Sequence, residues 1–532
     1  MKEQVSGEDG KQVTVISTET GTPENDIGLF QDPNQRPRCF TSTFQECIFV
    51  LTTTMAIGQS SFFQGAVIVI SATIGRDLHM NQAEITWITA GNSLTSGALL
   101  LAFGKVADMF GRRSMFITGM AGFTLALVVA GFANSAIYMD VFSGILGIFS
   151  AAVVPPAVGS LGAVYERPSQ RKNRAFACFS AGNPLGFVGG MIVSGIATQV
   201  ADWRAALWVL AVIYAAFTVL TIWTVPQDLA QKTRGFSWDS VKSLDPLGMI
   251  LAMAGIALLS SSLSIAGDAP DGWKTPYVIV LLVLGVALIA GFLYWQSLFS
   301  TPLMPLHVWR DRNFSLLMGI LALGFSGFVA AQFWMALYMQ EVLNLGPLEI
   351  TARLLPMVVN GVLVNIVCAF LLHRVSNKLI MLTGTVAYAV AFLIMSFTPD
   401  QGLYWAYYFV PLLLLVVGAD CQFNVVNMYV MSSLPTSDQS LAGAIFNTVS
   451  KVAGNIGLGI TTAIYNAIRE GGSTSPIRPY LGPYWFAAAS AGIAVFLVPF
   501  LKIGTQGHSE KDPSLSNEPD EELGGLEAQV KT

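Results

Sequence analysis

Gly104-Lys105-Val106-Ala107-Asp108-Met109-Phe110-Gly111-Arg112-Arg113 is a short charged stretch between two apolar runs, about 84–103 and 114–133. Its glycines allow a tight turn, Asp108 can cap a facing helix N-terminus, and Arg112 and Arg113 anchor the positively charged edge of a membrane. A bare basic turn would satisfy the positive-inside preference without the aspartate or the glycines. Each flanking run is about 20 residues long, the length a helix needs to cross a hydrocarbon core of roughly 30 Å.

Fourteen such runs follow one another along the chain. Six come first, at about 46–70, 84–103, 114–133, 138–160, 175–197 and 205–225. Two sit in the middle, at 247–266 and 277–298, and six follow, at 315–338, 350–373, 379–398, 403–431, 440–467 and 484–502. They are too long and too little alternating for the strands of a membrane β-barrel. Composition agrees: of 532 residues 53% are hydrophobic and 11% charged, against about 25% charged in an ordinary soluble domain. That excludes a soluble enzyme, a disordered chain and, with a net charge of −5 and no basic stripe, a nucleic-acid binder.

The five cysteines, Cys39, Cys47, Cys178, Cys368 and Cys421, have neither metal spacing nor an even count. They read as small apolar packers. The start of the chain is polar and lacks a signal-peptide core, so the first apolar run is the insertion signal.

With both ends inside, the inner loops carry Lys105, Arg112, Arg113, Arg167, Arg171, Lys172, Arg174, Lys232, Arg234, Lys242, Arg310, Arg312, Arg374 and Lys378. The outer loops carry Arg76, Arg204, Lys274, Arg353, Arg469 and Arg478, so the bias is fourteen to six. Both tails are therefore expected in the cytosol. The expected organisation is a disordered tail 1–43, a six-helix bundle 44–226, linkers with two extra helices 227–312, a second six-helix bundle 313–503 and a disordered acidic tail 504–532.

An ionisable or amide side chain costs free energy against lipid, so it marks a helix that faces something polar. Within their apolar stretches the third, sixth, eleventh and fourteenth runs contain no Asn, Gln or charged residue, Lys502 only closing the last of them; the seventh is equally clean, and the eighth has only Gln296 near one end. The polar residues are Gln59, Gln64, Asn92, Asn183, Gln332, Asn360, Asn365, Gln422, Asn424, Asn427, Asn447 and Asn455, with Asp420 and Lys451. With the two central runs set aside, the clean ones are the third and sixth of each group of six. Three-helix repeats around a central alternating-access cavity would leave that pattern. Amides acting only as glue between helices are the competing reading. Asp420 and Lys451 both fall near mid-depth on adjacent antiparallel runs, where they can meet. Protonating the aspartate would break such a pair, giving a coupling element, whereas a static ion pair would be structural only.

In the fifth run, Gly182, Gly186 and Gly190 lie four apart on one face, with Pro184 and Gly189 between them. The glycines permit close helix approach and the proline removes a backbone donor and bends the helix. Packing alone explains this as well as a functional motif does.

Together these features resemble the major facilitator superfamily. Gly104, Asp108, Gly111, Arg112 and Arg113 match its loop signature, and a decayed echo recurs at Leu371-Leu372-His373-Arg374-Val375-Ser376-Asn377-Lys378. Gly182, Pro184, Gly186, Gly189 and Gly190 are similar, in looser spacing, to the glycine-proline motif of its antiporters. Asp202-Trp203-Arg204, Leu244-Asp245-Pro246-Leu247-Gly248, Pro302-Leu303-Met304-Pro305-Leu306 and Asp420-Cys421-Gln422-Phe423-Asn424 through Leu434-Pro435 to Asn447 resemble its fourteen-spanner drug:proton antiporter family, the fungal branch in particular. The resemblance implies an all-α polytopic fold of two six-helix bundles plus two extra central helices.

It also implies a monomeric, proton-coupled exporter of drugs, toxins or secondary metabolites, most simply in the plasma membrane, with the vacuolar membrane as the other location. Lipid, protons and a small molecule are then the partners, and no cofactor or metal is expected. Ser143 and Phe63 stand where relatives carry the helix-4 arginine and a helix-1 aspartate tied to proton coupling. Asp420 is therefore the better proton carrier, ahead of Asp140, Glu46 and Glu341 nearer the membrane faces, with Trp334 and Phe62 as cavity aromatics. A transporter of a small polar or inorganic solute, such as ammonium or borate, is the alternative. A non-transporting sensor is more remote, because its output domain is missing. An enzyme lacks a nucleophile–base set, and an ATP-driven pump lacks a phosphate-binding loop.

Overall fold

The computed structural model describes residues 35–504 except 166–169, 227–244, 267–268, 270–271, 300–301, 303, 305, 373, 401, 434–438 and 472–474. Most of both expected tails, most of the 227–244 linker region, His373 and Leu434-Pro435 thus lie outside the described residues, as does the side chain of Asp108.

Helices follow in the order α1 (Thr43–Asp77), α2 (Gln82–Phe110), α3 (Arg112–Ala130), α4 (Ala136–Val164), α5 (Gln170–Ser180), α6 (Gly182–Val200) and α7 (Trp203–Thr224). Then come α8 (Pro246–Ile265), α9 (Pro276–Leu298), α10 (Arg312–Glu341), α11 (Pro347–Leu371), α12 (Asn377–Ser396), α13 (Val410–Ser433), α14 (Gln439–Glu470) and α15 (Arg478–Leu497). Local sequence starts many of them: Ser42, Asn81, Ser135, Asp202, Asp245 and Asp311 each accept a first-turn backbone N–H, removing one of the orphan donors of a helix start. Asn81 and Glu84 close a reciprocal capping box.

Among the described residues, eleven helices are long and apolar enough to cross a membrane. The protein is an all-α, multi-pass membrane protein. The three long helices outside that set are α2, α6 and α14, whose inward faces carry Asn, Ser, Thr, Gly or Lys. Three expected runs are not single α-helices, the fourteenth because it ends in a 3-10 turn, Val498–Phe500. The fifth breaks at Ala181 into α5 and α6, because Pro184 has no N–H for the carbonyl of Ser180. The twelfth opens with a π-helical turn, Trp405–Phe409, before α13.

Small residues set the closest seams. A Cβ at Gly182, Gly186 or Gly190 would collide with backbone oxygen of Thr54, Gly58 or Phe62, so α6 lies directly along α1. In the turn between α2 and α3, Gly111 has φ 109°, a conformation open to glycine alone at low cost. That turn lets Arg112 donate to Gly159 O on α4 at 2.9 Å and Arg113 to Ile222 O in the last turn of α7 at 2.9 Å. The decayed echo has a structural counterpart. Lys378, like Arg113 the second residue of its helix, donates to Pro499 O just beyond α15 at 2.7 Å. Arg112→Ala removes a charged hydrogen bond to a part-buried carbonyl, a loss of about 1.5–3 kcal/mol, read as a lower apparent unfolding temperature in detergent.

Helices α1–α7 pack mainly on one another, as do α10–α15, while α8 and α9 form a pair whose α8 rests on α2 and α14. Asp245 ties this pair together: its carboxylate accepts from Gly248 N, Trp295 Nε1 and Gln296 Nε2. The two larger groups meet where α1 and α10 end. Gln340 Nε2 donates to Ile68 O and its Oε1 accepts from Ala72 N, both at 2.8 Å. Thr351 on α11 donates to Met191 O on α6 at 3.1 Å. Further along, α2 and α14 touch at Gly97, whose carbonyl accepts from Thr448 at 3.0 Å.

Candidate functional site

Between the two groups lies a cavity of about 270 Å³ walled by α1, α2, α4, α6, α10, α11, α13 and α14. Helices α3, α7, α8, α9, α12 and α15 contribute no residue to its wall. These are the six runs that carry no amide or charge in their interior. Closed where Met191 meets Thr351, the α6–α11 seam opens into the cavity at Asn183, Pro184 and Phe187 facing Val358, Gly361 and Asn365.

Of the polar residues singled out by sequence, Gln64, Asn183, Gln332, Asn365, Asp420, Asn424, Asn447, Lys451 and Asn455 line the wall. On the α1–α7 side, Gln64 donates to Ser93 Oγ at 2.6 Å, and Ser61 donates to Asn183 Oδ1 at 3.0 Å. Across from them, Asn424 Nδ2 donates to Asn365 Oδ1 at 2.9 Å, and Gln332 Nε2 donates to Met357 Sδ at 3.2 Å. Gln59, Asn92, Asn360, Gln422 and Asn427 are not on the wall. Asn360 donates to Leu413 O at 2.9 Å and fastens α11 to α13, a glue role. Asn92 accepts from Ser60 at 3.0 Å, and Gln59 and Gln422 are fully buried.

The expected contact between Asp420 and Lys451 is not made. Lys451 instead reaches from α14 across to the first group of helices, donating to Ser96 Oγ at 2.8 Å and Ser60 Oγ at 3.1 Å. Asp420 Oδ2 is buried and accepts no hydrogen bond. No ion pair between described residues involves either side chain. Depth along a helix follows from counting residues, but the rotation that aims the side chain does not.

The expected aromatics are also off the wall. Trp334 is fully buried, donates to Thr461 at 2.9 Å and stacks on Tyr465 at 4.4 Å. Phe62 packs edge-on against Tyr214 at 5.8 Å. Their places are taken by Phe187, Phe325, Phe328, Phe333 and Phe423. Sequence reasoning missed these and the hydroxyls of Ser60, Ser61, Ser93 and Ser450. Their signal was spacing: Ser60, Ser61 and Gln64 share one helix face, as do Asp420, Phe423 and Asn424.

Nearer the faces, Glu46 is a structural anchor, accepting from Tyr165 and Arg171 at 2.7 Å each. Burial, with Glu46 beside it, raises the Tyr165 hydroxyl above its ordinary range, so it stays a donor. Glu341 accepts from Tyr480 at 2.8 Å, while Asp140 Oδ1 and Ser143 Oγ are buried without a partner and Phe63 is core.

The sequence matches the Major Facilitator Superfamily over residues 49–458, which include the loop motif and every wall residue. The chain belongs to that superfamily. As a superfamily member it is a membrane transport protein and not an enzyme. It is 26% identical over 420 residues to the low affinity ammonium transporter of Saccharomyces cerevisiae, covering 78% of this chain and 80% of that protein. It is 24% identical over 493 residues to the efflux pump terJ of Aspergillus terreus, covering 92% of each. The puromycin resistance protein pur8 of Streptomyces alboniger is 26% identical over 420 residues, covering 77% of this chain and 79% of that one. In this superfamily member the loop arginines and the α1–α6 glycines join helix to helix, and the cavity lies between the two helix groups.

Proposed function

We propose that the protein is a proton-coupled exporter of small organic molecules, working by alternating access around the central cavity. The observation that carries this reading is Asp420 Oδ2: a buried carboxylate oxygen on the cavity wall with no hydrogen-bond partner. Such a group can take a proton from one side of the membrane and release it to the other as the cavity changes exposure. Fourteen membrane helices serve this cycle, as two six-helix bundles at 44–226 and 313–503 with α8 and α9 added between them. Both tails face the cytosol, the working unit is a monomer, and the membrane is the plasma membrane. Similarity to the efflux pump terJ and the puromycin resistance protein supports export of organic cargo, as do the five wall phenylalanines.

A second reading, passage of ammonium or another small inorganic solute, is favoured by similarity to the ammonium transporter. Aromatic faces can attract an ammonium ion, but a wall with five phenylalanines also offers apolar surface that only a cargo with an apolar body would use.

Alternating access requires the α6–α11 seam to open. A Cβ at Gly195 would stand 3.3 Å from Thr351 Cβ, close to the separation across a disulfide. In a background with Cys39, Cys47 and Cys178 replaced by serine and the adjacent Cys368 and Cys421, with sulfurs 3.7 Å apart, replaced by alanine, Gly195→Cys with Thr351→Cys should cross-link on oxidation. Transport is then expected to fall at least tenfold and to recover on reduction. Undiminished transport in the cross-linked protein would contradict alternating access at this seam.

A further inference from the structure

The cavity holds two opposite charges that do not neutralise each other. Lys451 sits at a pole formed by α1, α2 and α14, where its neighbours are the neutral hydroxyls of Ser60 and Ser96. An ammonium has three donors, and neutral hydroxyls leave its charge uncompensated. Asp420 sits at a second pole formed by α11 and α13. There Asn365 donates to Gly361 O and Asn424 donates to Asn365 Oδ1 and Asp420 O, and Asp420 Oδ2 accepts from neither.

A helix-centre Asp or Lys costs roughly 2.5–3.5 kcal/mol on insertion scales. Mutual pairing would offset much of that, yet no ion pair joins them. Phe325, whose ring centroid lies 5.9 Å from that of Phe328 and 6.5 Å from that of Phe423, belongs with both of them to the same wall as the two poles.

We propose that the cavity selects an amphoteric cargo: an anionic group such as a carboxylate for Lys451, a cationic amine for Asp420, and an apolar or aromatic body for the phenylalanines. Such a molecule compensates both charges at once, whereas a simple cation or a simple anion compensates one and leaves the other buried and unpaired. Lys451 is the specificity-determining residue for the anionic end. The inference rests on the reading of this cavity as the transport site.

The test is binding to the purified full-length protein in detergent at neutral pH, by calorimetry. Its probes are phenylalanine, its methyl ester, which keeps only the cation, and N-acetylphenylalanine, which keeps only the anion. Wild type is expected to bind phenylalanine at least tenfold more tightly than either singly charged relative. Lys451→Gln should bring phenylalanine and its ester within twofold of each other, Lys451→Arg should retain the preference, and Asp420→Asn should remove the preference over the N-acetyl compound. Equal binding of a singly charged probe to wild type, survival of the preference in Lys451→Gln, or no binding of any probe would overturn the proposal. Detergent carries no gradient, so failure of proton coupling leaves this test intact. Gradient-driven flux with no charge preference would overturn only the cargo class.

Discussion

Asp420→Asn is expected to reduce pH-gradient-driven transport to background while the protein still reaches the membrane. The substitution is nearly isosteric, and Oδ2 accepts no hydrogen bond that the fold would lose. Folding stability should therefore change by no more than about 1 kcal/mol. What disappears is the one carboxylate among the described residues of the cavity wall, the group that the proposed cycle uses to take up and release a proton. Flux should be followed in membrane vesicles as the imposed pH difference is varied, alongside the expression level. A variant that keeps the wild-type dependence on the pH difference would remove Asp420 from the mechanism.

Gly190→Leu is expected to damage the fold itself. Its Cβ would run into Phe62 O and Ala66 N, both backbone atoms of α1 that have no rotamer into which to retreat. Separating α1 from α6 would also disturb Gly182 and Gly186, which meet α1 in the same register. Overpacking of this kind costs about 3 kcal/mol or more when backbone must move. The expected result is a fall of several degrees in apparent unfolding temperature, or loss of folded protein from a size-exclusion profile. Gly492→Leu is the control, because a Cβ there meets nothing within 4 Å. If both variants behave as wild type, the α1–α6 seam is not a close contact.

Much of the site was legible because a membrane makes polarity informative. The six helices without interior amides or charges contribute nothing to the wall, since cavity-facing positions are the ones that tolerate such groups, and the short charged helix α5 is the other one that stays off it. What stayed hidden is rotation about the helix axis. Phe333 lines the wall while Trp334, one residue and about 100° further round, turns away to Thr461 and Tyr465. Ser61 and Phe62 divide in the same way. Serine carries little signal because its hydroxyl can satisfy itself on its own helix, as Ser450 does on Phe446 O, and still face the cavity. Phenylalanine on a cavity wall and phenylalanine against lipid read alike.

Lys451 shows the limit most clearly. Its depth suits a pair with Asp420, but its ammonium bridges to the other helix group through Ser60 and Ser96. A residue read as half of an ion pair is thereby also a contact across the seam between the two halves. Any movement that parts α14 from α1 and α2 must release those two hydrogen bonds.

The most direct measurement of the central claim is flux of an amphipathic organic probe in proteoliposomes of the purified wild-type protein, with the pH difference imposed and then collapsed by an ionophore. Proton-coupled export predicts accumulation against the probe's own gradient while the pH difference lasts, and return to equilibrium when it is collapsed. Flux that only equilibrates the probe, and proceeds equally with and without the pH difference, would contradict it.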